Sequence, residues 1–226
     1  MREMRRTCSD ADRTCLITPP PGFSIEQAAE LQMRLRRLVR RKGNFPRKMK
    51  VAAGLDSAYV GKMAFGAAVS VNLETMETKE SATARGQVVF PYVPGFLAFR
   101  EAPIILAAAM KLKKSPDVYL VDGHGYAHPR RFGLACHVGI ALDAPTIGVA
   151  KSRLCGTVAG IKLKDRGETV GEILRRRSGK PFYVSVGHKI SLRDSIRIVS
   201  RCLSGPKDPI SLAHTEANKM REAISP

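Results

Sequence analysis

Three short apolar runs that each stop at a charged residue constrain the fold of this chain more than any other feature of its sequence. Runs of this length that are apolar over most of their residues are typical of strands buried inside a sheet. In a mixed α/β sheet, side chains at strand ends tend to converge at one edge. The sequence therefore predicts an α/β fold with polar groups gathered at a sheet edge. The runs and the residues that end them are Met49 to Leu55 with Asp56, Asp117 to Val121 with Asp122, and Pro145 to Ala150 with Lys151.

Further strands and helices surround these runs. Ala64 to Val71 and Ser81 to Phe90 have β-like patterns, and the turn Asn72 to Lys79 between them favours antiparallel pairing. Phe96 to Leu112 is predicted as a helix, and Pro129 is placed to begin another that runs to about Leu142. The order β-β-β-α-β-α-β describes a mixed sheet flanked by helices in a single domain.

The carboxyl-terminal third is predicted with less regular patterns. Thr169 to Leu174 and Phe182 to Val186 resemble a hairpin around Ser178-Gly179. Two helices are expected after it, Ser191 to Cys202 and Ile210 to Ile224, because Gly205-Pro206 breaks the periodic pattern between them.

The amino terminus is predicted to be a flexible arm. Residues 1–23 lack a periodic apolar pattern and end in Pro19-Pro20-Pro21-Gly22. Ser24 then begins a helix, with Gln27 at capping-box spacing and Gly43 at its end. We therefore divide the chain into a flexible arm, residues 1–23, and one folded domain, residues 24–226.

Composition excludes several classes of protein. A chain of 226 residues with 44% hydrophobic residues is globular and long enough to bury a core without disulfides. The five cysteines form no CxxC pair, the first residues contain no apolar signal-peptide segment, and no apolar stretch approaches the length of a membrane span. We expect a cytoplasmic protein that is a monomer and has no membrane association.

The charge of the chain lies at its two ends. The formal net charge of +18 is made up of +8 in residues 1–50, +1 in residues 51–150 and +9 in residues 151–226. Basic flanks around a neutral centre suit a protein that binds a polyanion, and nucleic acid is the obvious one because phosphate contacts supply most non-specific affinity. A charge that serves solubility, or adaptation to heat or salt, is the alternative.

Three acids are candidates for a metal site. Asp56 and Asp122 follow strands, and Glu101 lies at the start of a helix after the proline-rich loop 91–95. Oxygen ligands without cysteine favour a hard cation, Mg²⁺ or Mn²⁺, over zinc. Such a cation activates water and stabilises charge on a phosphodiester. Each acid taken alone is more simply explained as a surface or capping carboxylate.

The densest group of polar residues is the segment 122–130, DGHGYAHPR. Its two glycines let backbone approach a ligand closely. His124 and His128 lie four apart, but the segment is not helical as a zinc HEXXH motif requires, so we favour hydrogen bonding or phosphate contact for them. Lys151 could hold a phosphate as a point charge or be simply solvated.

Two long segments resemble the endonuclease V family. Residues 91–101, PYVPGFLAFRE, are similar to the family's PYIPGFLSFRE motif, and residues 121–156, from VDGHGYAHPRR to TIGVAKSRLCG, resemble a second motif. The AAGLD that ends at Asp56 is similar to the family's GVD segment. The resemblance covers about residues 25–156 strongly. Residues 1–21 find no counterpart, and Asp56 is followed by Ser-Ala-Tyr rather than the usual hydrophobic pair.

The resemblance implies a fold and an activity. The family has an RNase H-like fold, a mixed five-stranded sheet flanked by helices. It recognises inosine, the deamination product of adenosine, in DNA or RNA, and cuts the second phosphodiester bond on the 3′ side to leave 3′-hydroxyl and 5′-phosphate ends. The cofactor implied is Mg²⁺, with Mn²⁺ as a substitute.

The resemblance also implies residue roles. Asp56, Glu101 and Asp122 match the metal-binding carboxylates, and Lys151 matches a lysine of the catalytic region. His214, in the short segment SLAHTEAN, matches the family's late histidine near the metal. On the substrate side, Tyr92 matches a wedge residue inserted beside the damaged base, Gly95 and Gly123 lie where backbone lines the hypoxanthine pocket, and His128 matches a motif histidine.

Three functions stay open at this stage. The first is a deoxyinosine-directed DNA repair nuclease, with an inosine-specific endoribonuclease acting on RNA as its variant. The second is a structure-specific RNase H-like nuclease, which would not need a base pocket. The third is a catalytically dead inosine-binding protein, against which the three intact carboxylates count.

Overall fold

A computed structural model describes residues 10–43, 49–175, 180–205 and 208–224. Six α-helices and nine strands are found within them, and a 3₁₀ turn, Arg36–Leu38, follows the second helix. The helices are α1 Asp10–Ile17, α2 Ile25–Leu35, α3 Leu97–Ala109, α4 Leu134–Leu142, α5 Leu192–Ser204 and α6 Pro209–Glu222. The strands are β1 Val51–Val60, β2 Met63–Asn72, β3 Thr78–Gln87, β4 Val118–Asp122, β5 Thr146–Ala150, β6 Thr157–Ala159, β7 Lys162–Asp165, β8 Glu168–Leu174 and β9 Phe182–His188.

All nine strands belong to one mixed sheet in the order β3-β2-β1-β4-β5-β9-β8-β7-β6. The central strands β1, β4 and β5 are parallel, and every other neighbouring pair is antiparallel. Leu55 pairs with Val121, and Asp122 pairs with Val149. The register therefore brings Asp56, Asp122 and Lys151 to the same edge of the sheet, as the sequence predicted. We call this the catalytic edge.

Alternating side chains build a core on each face of the sheet. Tyr119 and Val121 of β4 pack toward the layer that contains α2, α3 and α4. Val118 and Leu120 of the same strand pack toward α5 and the start of α6. The catalytic edge is thus approached by α3 from one face and by α6 from the other.

A glycine in β1 sets how closely α6 approaches the sheet. A Cβ atom built on Gly54 would lie 2.0 Å from the carbonyl oxygen of Pro209, the first residue of α6. Asp208 caps this helix, since its carboxylate accepts a hydrogen bond of 2.8 Å from the backbone N–H of Ser211. Close packing here carries His214, on the next turn of α6, up to the catalytic edge.

The fold confirms the predicted α/β class and corrects several details. The described part of the expected arm, residues 10–17, forms α1, and Leu16 in it is fully buried. The main-chain carbonyl of Leu16 lies 2.8 Å from Nε2 of His137, so buried packing fixes this helix and the sequence lacked a signal for it. Residues 1–9 lie outside the described residues.

Element boundaries also differ from the predictions. The first strand does not end before Asp56: β1 continues to Val60 because it pairs with β2 over its whole length, so Asp56 lies within the strand. The helix expected from Pro129 begins at Leu134, because the chain first turns where the N–H of Arg131 donates to the carbonyl of His128. The helix after Ser24 has the predicted capping box but ends at Leu35 instead of Gly43. The sheet continues past the expected hairpin, β8 and β9, into β6 and β7, which were not predicted; Ser178-Gly179 lies outside the described residues.

No helix within the described parts of the chain has the length and apolar character needed to cross a membrane.

Candidate active site

Two aspartates and a histidine form the tightest polar group at the catalytic edge. One ligand atom each from Asp56, Asp122 and His214 lies within 4.8 Å of the others. Nδ1 of His214 is 2.7 Å from Oδ2 of Asp56, and Nζ of Lys151 contacts Oδ2 of Asp122. Strand β1 supplies the first aspartate, β4 the second, β5 precedes the lysine and α6 supplies the histidine, so four elements distant in sequence meet here.

Glu101 approaches the two aspartates from α3, on the other face of the sheet. Burial, reinforced by the charges of Asp56 and Asp122, raises the pKa of Glu101 to about 8. The pKa of Asp56 is also raised, first by burial and then by Asp122. Glu101 is outside the tight group, whose third member is His214, but it is near enough for its charge to be coupled to both aspartates.

The donor set suits a hard divalent cation. Two carboxylates and an imidazole, with a further carboxylate close by and no thiolate, favour Mg²⁺ or Mn²⁺. Burial first, and then the charges of neighbouring carboxylates, raise the pKa values of Glu101 and Asp56, and a bound cation would offset both effects. Lys151 already offsets part of the negative charge: burial alone would lower the pKa of its ammonium, but the hydrogen bond to Asp122 raises that pKa.

A cleft of about 340 Å³ opens beside these carboxylates. One wall is the segment 92–101 with its proline-rich loop, another is the segment 122–128, and a third is the segment that follows β5, residues 150–154. Seven of the residues singled out from sequence besides Lys151 line it: Tyr92, Gly95, Glu101, Asp122, Gly123, His124 and His128. Asp56 and His214 adjoin it through Asp122.

Tyr92 is the most exposed large hydrophobic side chain of the described residues, with 69% of its surface accessible. It stands in a loop with little freedom, between Pro91 and Pro94. The loop closes where the N–H of Phe96 donates to the carbonyl of Val93 over 2.9 Å. An exposed ring on a stiff loop at the mouth of a cleft can enter a stack of bases at small entropic cost.

The carbonyl oxygen of Gly95 anchors this loop to the rest of the protein. It accepts hydrogen bonds from Nη2 of Arg130 at 2.6 Å, Nε2 of His128 at 3.0 Å and Nε2 of Gln32 at 3.2 Å. Gly95 has φ of +81°, and a Cβ atom there would lie 3.0 Å from Arg130 Nη2. Glycine is needed both for the backbone angle and for the approach of the guanidinium. We call Gln32, His128 and Arg130 the Gly95 clamp.

Sequence reasoning missed two members of the Gly95 clamp. Gln32 is fully buried on α2 although it is polar, and it lies four residues after Ala28 and one after Leu31, on the apolar stripe. A polar residue inside a buried stripe is a usable signal, because burial without a partner is costly. Arg130 also lies 3.9 Å over the ring of Phe96, and nothing in its sequence context indicated that contact.

His124 lines the cleft, where its N–H can donate a hydrogen bond to a ligand as expected. Burial lowers its pKa to about 4, so the imidazole is neutral near pH 7. Burial, and then the charge of Arg130, likewise lower the pKa of His128 to about 4, so this imidazole is also neutral near pH 7. His137 lies in the core against Phe99, as its apolar helix indicated.

An α/β fold with clustered carboxylates at a sheet edge, beside a cleft with a projecting aromatic ring, defines a nuclease-like hydrolase. Comparison with known proteins makes the assignment specific: residues 33–216 match the family model of endonuclease V. The chain is 42% identical over 195 residues to endonuclease V of Roseiflexus sp. (strain RS-1), and the aligned residues cover 82% of this chain and 87% of the relative. The chain belongs to the endonuclease V family, whose members are nucleases that hydrolyse phosphodiester bonds.

Solved structures agree with this assignment. Endonuclease V of Streptomyces avermitilis superposes with a TM-score of 0.81 at 36% identity, covering 91% of this chain and 96% of that one. Endonuclease V of Ciona intestinalis, in complex with a 24mer DNA that contains an inosine followed by a ribo-adenosine, gives a TM-score of 0.75 at 28% identity over 88% of this chain and all of that one.

Proposed function

We propose that this protein recognises inosine in DNA and hydrolyses the second phosphodiester bond on its 3′ side, leaving 3′-hydroxyl and 5′-phosphate ends, with Mg²⁺ as cofactor and Mn²⁺ as a substitute. The observation that carries the proposal is the cluster of Asp56, Asp122 and His214 beside a cleft whose mouth holds Tyr92. The cluster of carboxylates suits hydrolysis, and the cleft beside it suits a displaced base.

The carboxylates Asp56, Asp122 and Glu101 are the residues that would hold the cation. Bound there, Mg²⁺ supplies an activated water and stabilises the charge that develops on the phosphodiester. Lys151, which neutralises Asp122, presents a positive charge to a phosphate oxygen. His214, which is half exposed, orients the carboxylate of Asp56 through its hydrogen bond.

The cleft accounts for recognition of the base. Tyr92 fills the gap that a displaced base leaves in the duplex, and the backbone at Gly95 and Gly123 lines the pocket that receives it. His128 contributes as part of the Gly95 clamp, because both of its ring nitrogens bond to protein groups.

Inosine-containing RNA is the alternative substrate. The Ciona relative's complex contains inosine-bearing DNA with one ribonucleotide, so it is consistent with either polymer for that protein. We favour DNA for this chain because the inosine-containing strand bound by that relative is a DNA. Cytoplasmic location and a monomeric state rest on the sequence alone and stay predictions.

A nuclease assay tests the proposal. Matched DNA and RNA strands, with and without one inosine, are incubated with the protein and Mg²⁺, and the product ends are mapped. We expect one cut, at the second bond 3′ to inosine, in DNA and none in the plain strand or with EDTA. Faster cutting of RNA would replace the DNA assignment by the endoribonuclease one, and equal cutting of plain and inosine strands would overturn inosine recognition.

A further inference from the structure

A β-hairpin at the far end of the catalytic edge has no role in the site described above. Strands β6 and β7 pair through Ala159 and Lys162 and are joined by the two-residue turn Gly160-Ile161. Gly160 has φ of +62°, which a tight two-residue turn requires. Ile161 at the tip is 63% exposed, Val158 is 46% exposed, and β6 is an edge strand whose residues are all exposed. The hairpin is stiff, apolar at its tip and uncovered.

The strand register places the tip level with the active site. Ala150 of β5 pairs with Tyr183, Tyr183 pairs with Ile173, and the carbonyl of Ile161 accepts the N–H of Ile173 over 2.8 Å. Ile161 therefore lies in the same row as Ala150, the neighbour of Lys151. Three strand spacings separate Ile161 from Ala150. The hairpin tip therefore lies about 14 Å from the active site, measured along the catalytic edge.

The segment from the active site to this hairpin is basic. Residues 151–164 contain Lys151, Arg153, Lys162 and Lys164 and no acidic residue. Lys162 and Lys164 are exposed, while Leu163 between them is buried. Glu172 pairs with Lys162 across the ladder, but among the described residues no carboxylate lies within 4 Å of either lysine. Both ammonium groups are available to an anion.

We propose that the hairpin Thr157–Asp165 is a second contact for duplex nucleic acid, in which Lys162 and Lys164 bind phosphates and Ile161 packs into the minor groove. The inference rests on the proposed function for the presence of a duplex at the catalytic edge. An apolar tip flanked by cations is the combination that minor-groove proteins use. A distance of about 14 Å corresponds to roughly four base pairs from the active-site phosphate.

Salt dependence of binding tests the lysines. Binding to an inosine-containing 30-base-pair duplex is measured without divalent cation between 50 and 200 mM salt. Each phosphate contact contributes about −0.9 to the log–log slope, so K162S/K164S should flatten it by about 1.8. K79S/K114S removes the same charge from exposed positions away from the catalytic edge and should leave most of that slope intact.

Duplex length tests the tip. With the inosine fixed, each flank is shortened in turn to fewer than four base pairs. I161S should weaken binding of the long duplex about tenfold, which is the effect expected when a buried aliphatic side chain is lost. It should leave binding of the duplex that ends before the hairpin unchanged. M110S, which replaces a similarly exposed apolar residue (59% against 63%) just after α3, should bind like the wild type on both.

The outcomes separate this proposal from the proposed function. If the wild type cuts at inosine but both hairpin variants bind and respond to salt and length as it does, the hairpin proposal is wrong and its lysines serve only to keep the sheet edge from pairing. If the variants lose duplex affinity as predicted while the wild type cuts plain and inosine duplexes alike, the hairpin contact stands and inosine recognition fails.

Discussion

His128 donates a hydrogen bond from Nε2 to the carbonyl oxygen of Gly95, over 3.0 Å and across 33 residues of sequence. Nδ1 of the same ring accepts the backbone N–H of Arg130 at 3.2 Å. Only the neutral tautomer with its proton on Nε2 makes both bonds, and burial together with Arg130 lowers the pKa of His128 to about 4, which keeps the ring in that form. The imidazole therefore joins the two loops that form the cleft.

Replacing His128 tests this connection. His128→Ala removes one of three donors to the Gly95 oxygen, a loss of about 1 kcal/mol, so binding of an inosine duplex should weaken about fivefold. Gln at this position retains a donor and should recover part of the loss. His188→Ala is the matched control, since His188 is also buried and its Nδ1 accepts the backbone N–H of Arg40, away from the cleft. Equal weakening in the control would mean that the effect is general destabilisation.

Tyr92 separates base recognition from chemistry. Tyr92→Ala should lose about 1–3 kcal/mol of binding on duplex inosine substrates, the scale of base–aromatic stacking, and less on single strands, where no partner base must be separated. Phe should retain most activity because the ring fills the gap. Cutting rates on the two substrates measure this, and a Phe variant as poor as Ala would refute the wedge role.

Asp122→Asn tests the metal site. A neutral amide binds Mg²⁺ far more weakly than a carboxylate, so cutting should fall to near zero while binding of inosine DNA survives. Asp143→Asn, at an exposed acid on the opposite edge of the sheet, should cut like the wild type. Near wild-type cutting by the Asp122 variant in Mg²⁺ would contradict the assignment.

The raised pKa of Glu101 predicts a pH dependence of stability in the metal-free protein. Because the pKa of Glu101 is about 8 in the folded state against 4.5 for a solvent-exposed glutamate, the native state binds more protons between these values. The free energy of unfolding therefore decreases as pH rises from 5 to 8, by at most about 1.4 kcal/mol per pH unit for one group. Thermal unfolding in EDTA should show Glu101→Gln gaining stability relative to the wild type across this range, and added Mg²⁺ should reduce the difference. A constant difference at every pH would show that Glu101 titrates normally.

Gly54 is predicted to be irreplaceable although it touches no substrate. Ala at this position meets the Pro209 carbonyl at 2.0 Å, so α6 must shift, at a cost of about 1–3 kcal/mol in unfolding free energy, and His214 moves with it. Gly86→Ala is the control in a neighbouring part of the sheet, where the nearest atom is the end of the Ile104 side chain at 3.4 Å. We expect cutting to fall much more than binding in the Gly54 variant and neither to change in the control. Equal cutting by the two variants would contradict the role given to this close contact.

Much of the fold could be predicted because the local sequence patterns favour the same strands and helices that the tertiary packing requires. The buried runs before Asp56, Asp122 and Lys151 became the parallel centre of the sheet, and the Ser24-Gln27 capping box formed as its spacing indicated. The predictions failed where the local sequence pattern is weak. Helix α1 depends on burial of Leu16, and strands β6 and β7 are short and mostly exposed, with β7 held by pairing with β8 and β6 by pairing with β7.

The sequence by itself determined the chemistry of the candidate site, since the identities of its acids, its lysine and its wedge-loop tyrosine, and the apolar runs that precede Asp56, Asp122 and Lys151, are local facts. Only the tertiary structure decided which groups meet. It joined His214 to Asp56 across 158 residues, set Glu101 apart from the tight group, and converged Gln32, His128 and Arg130 on one carbonyl oxygen. The reason is physical: residue type and spacing fix propensity and periodicity, whereas hydrogen bonds and pKa values depend on distances across the fold, which close packing of helices on the sheet alone sets.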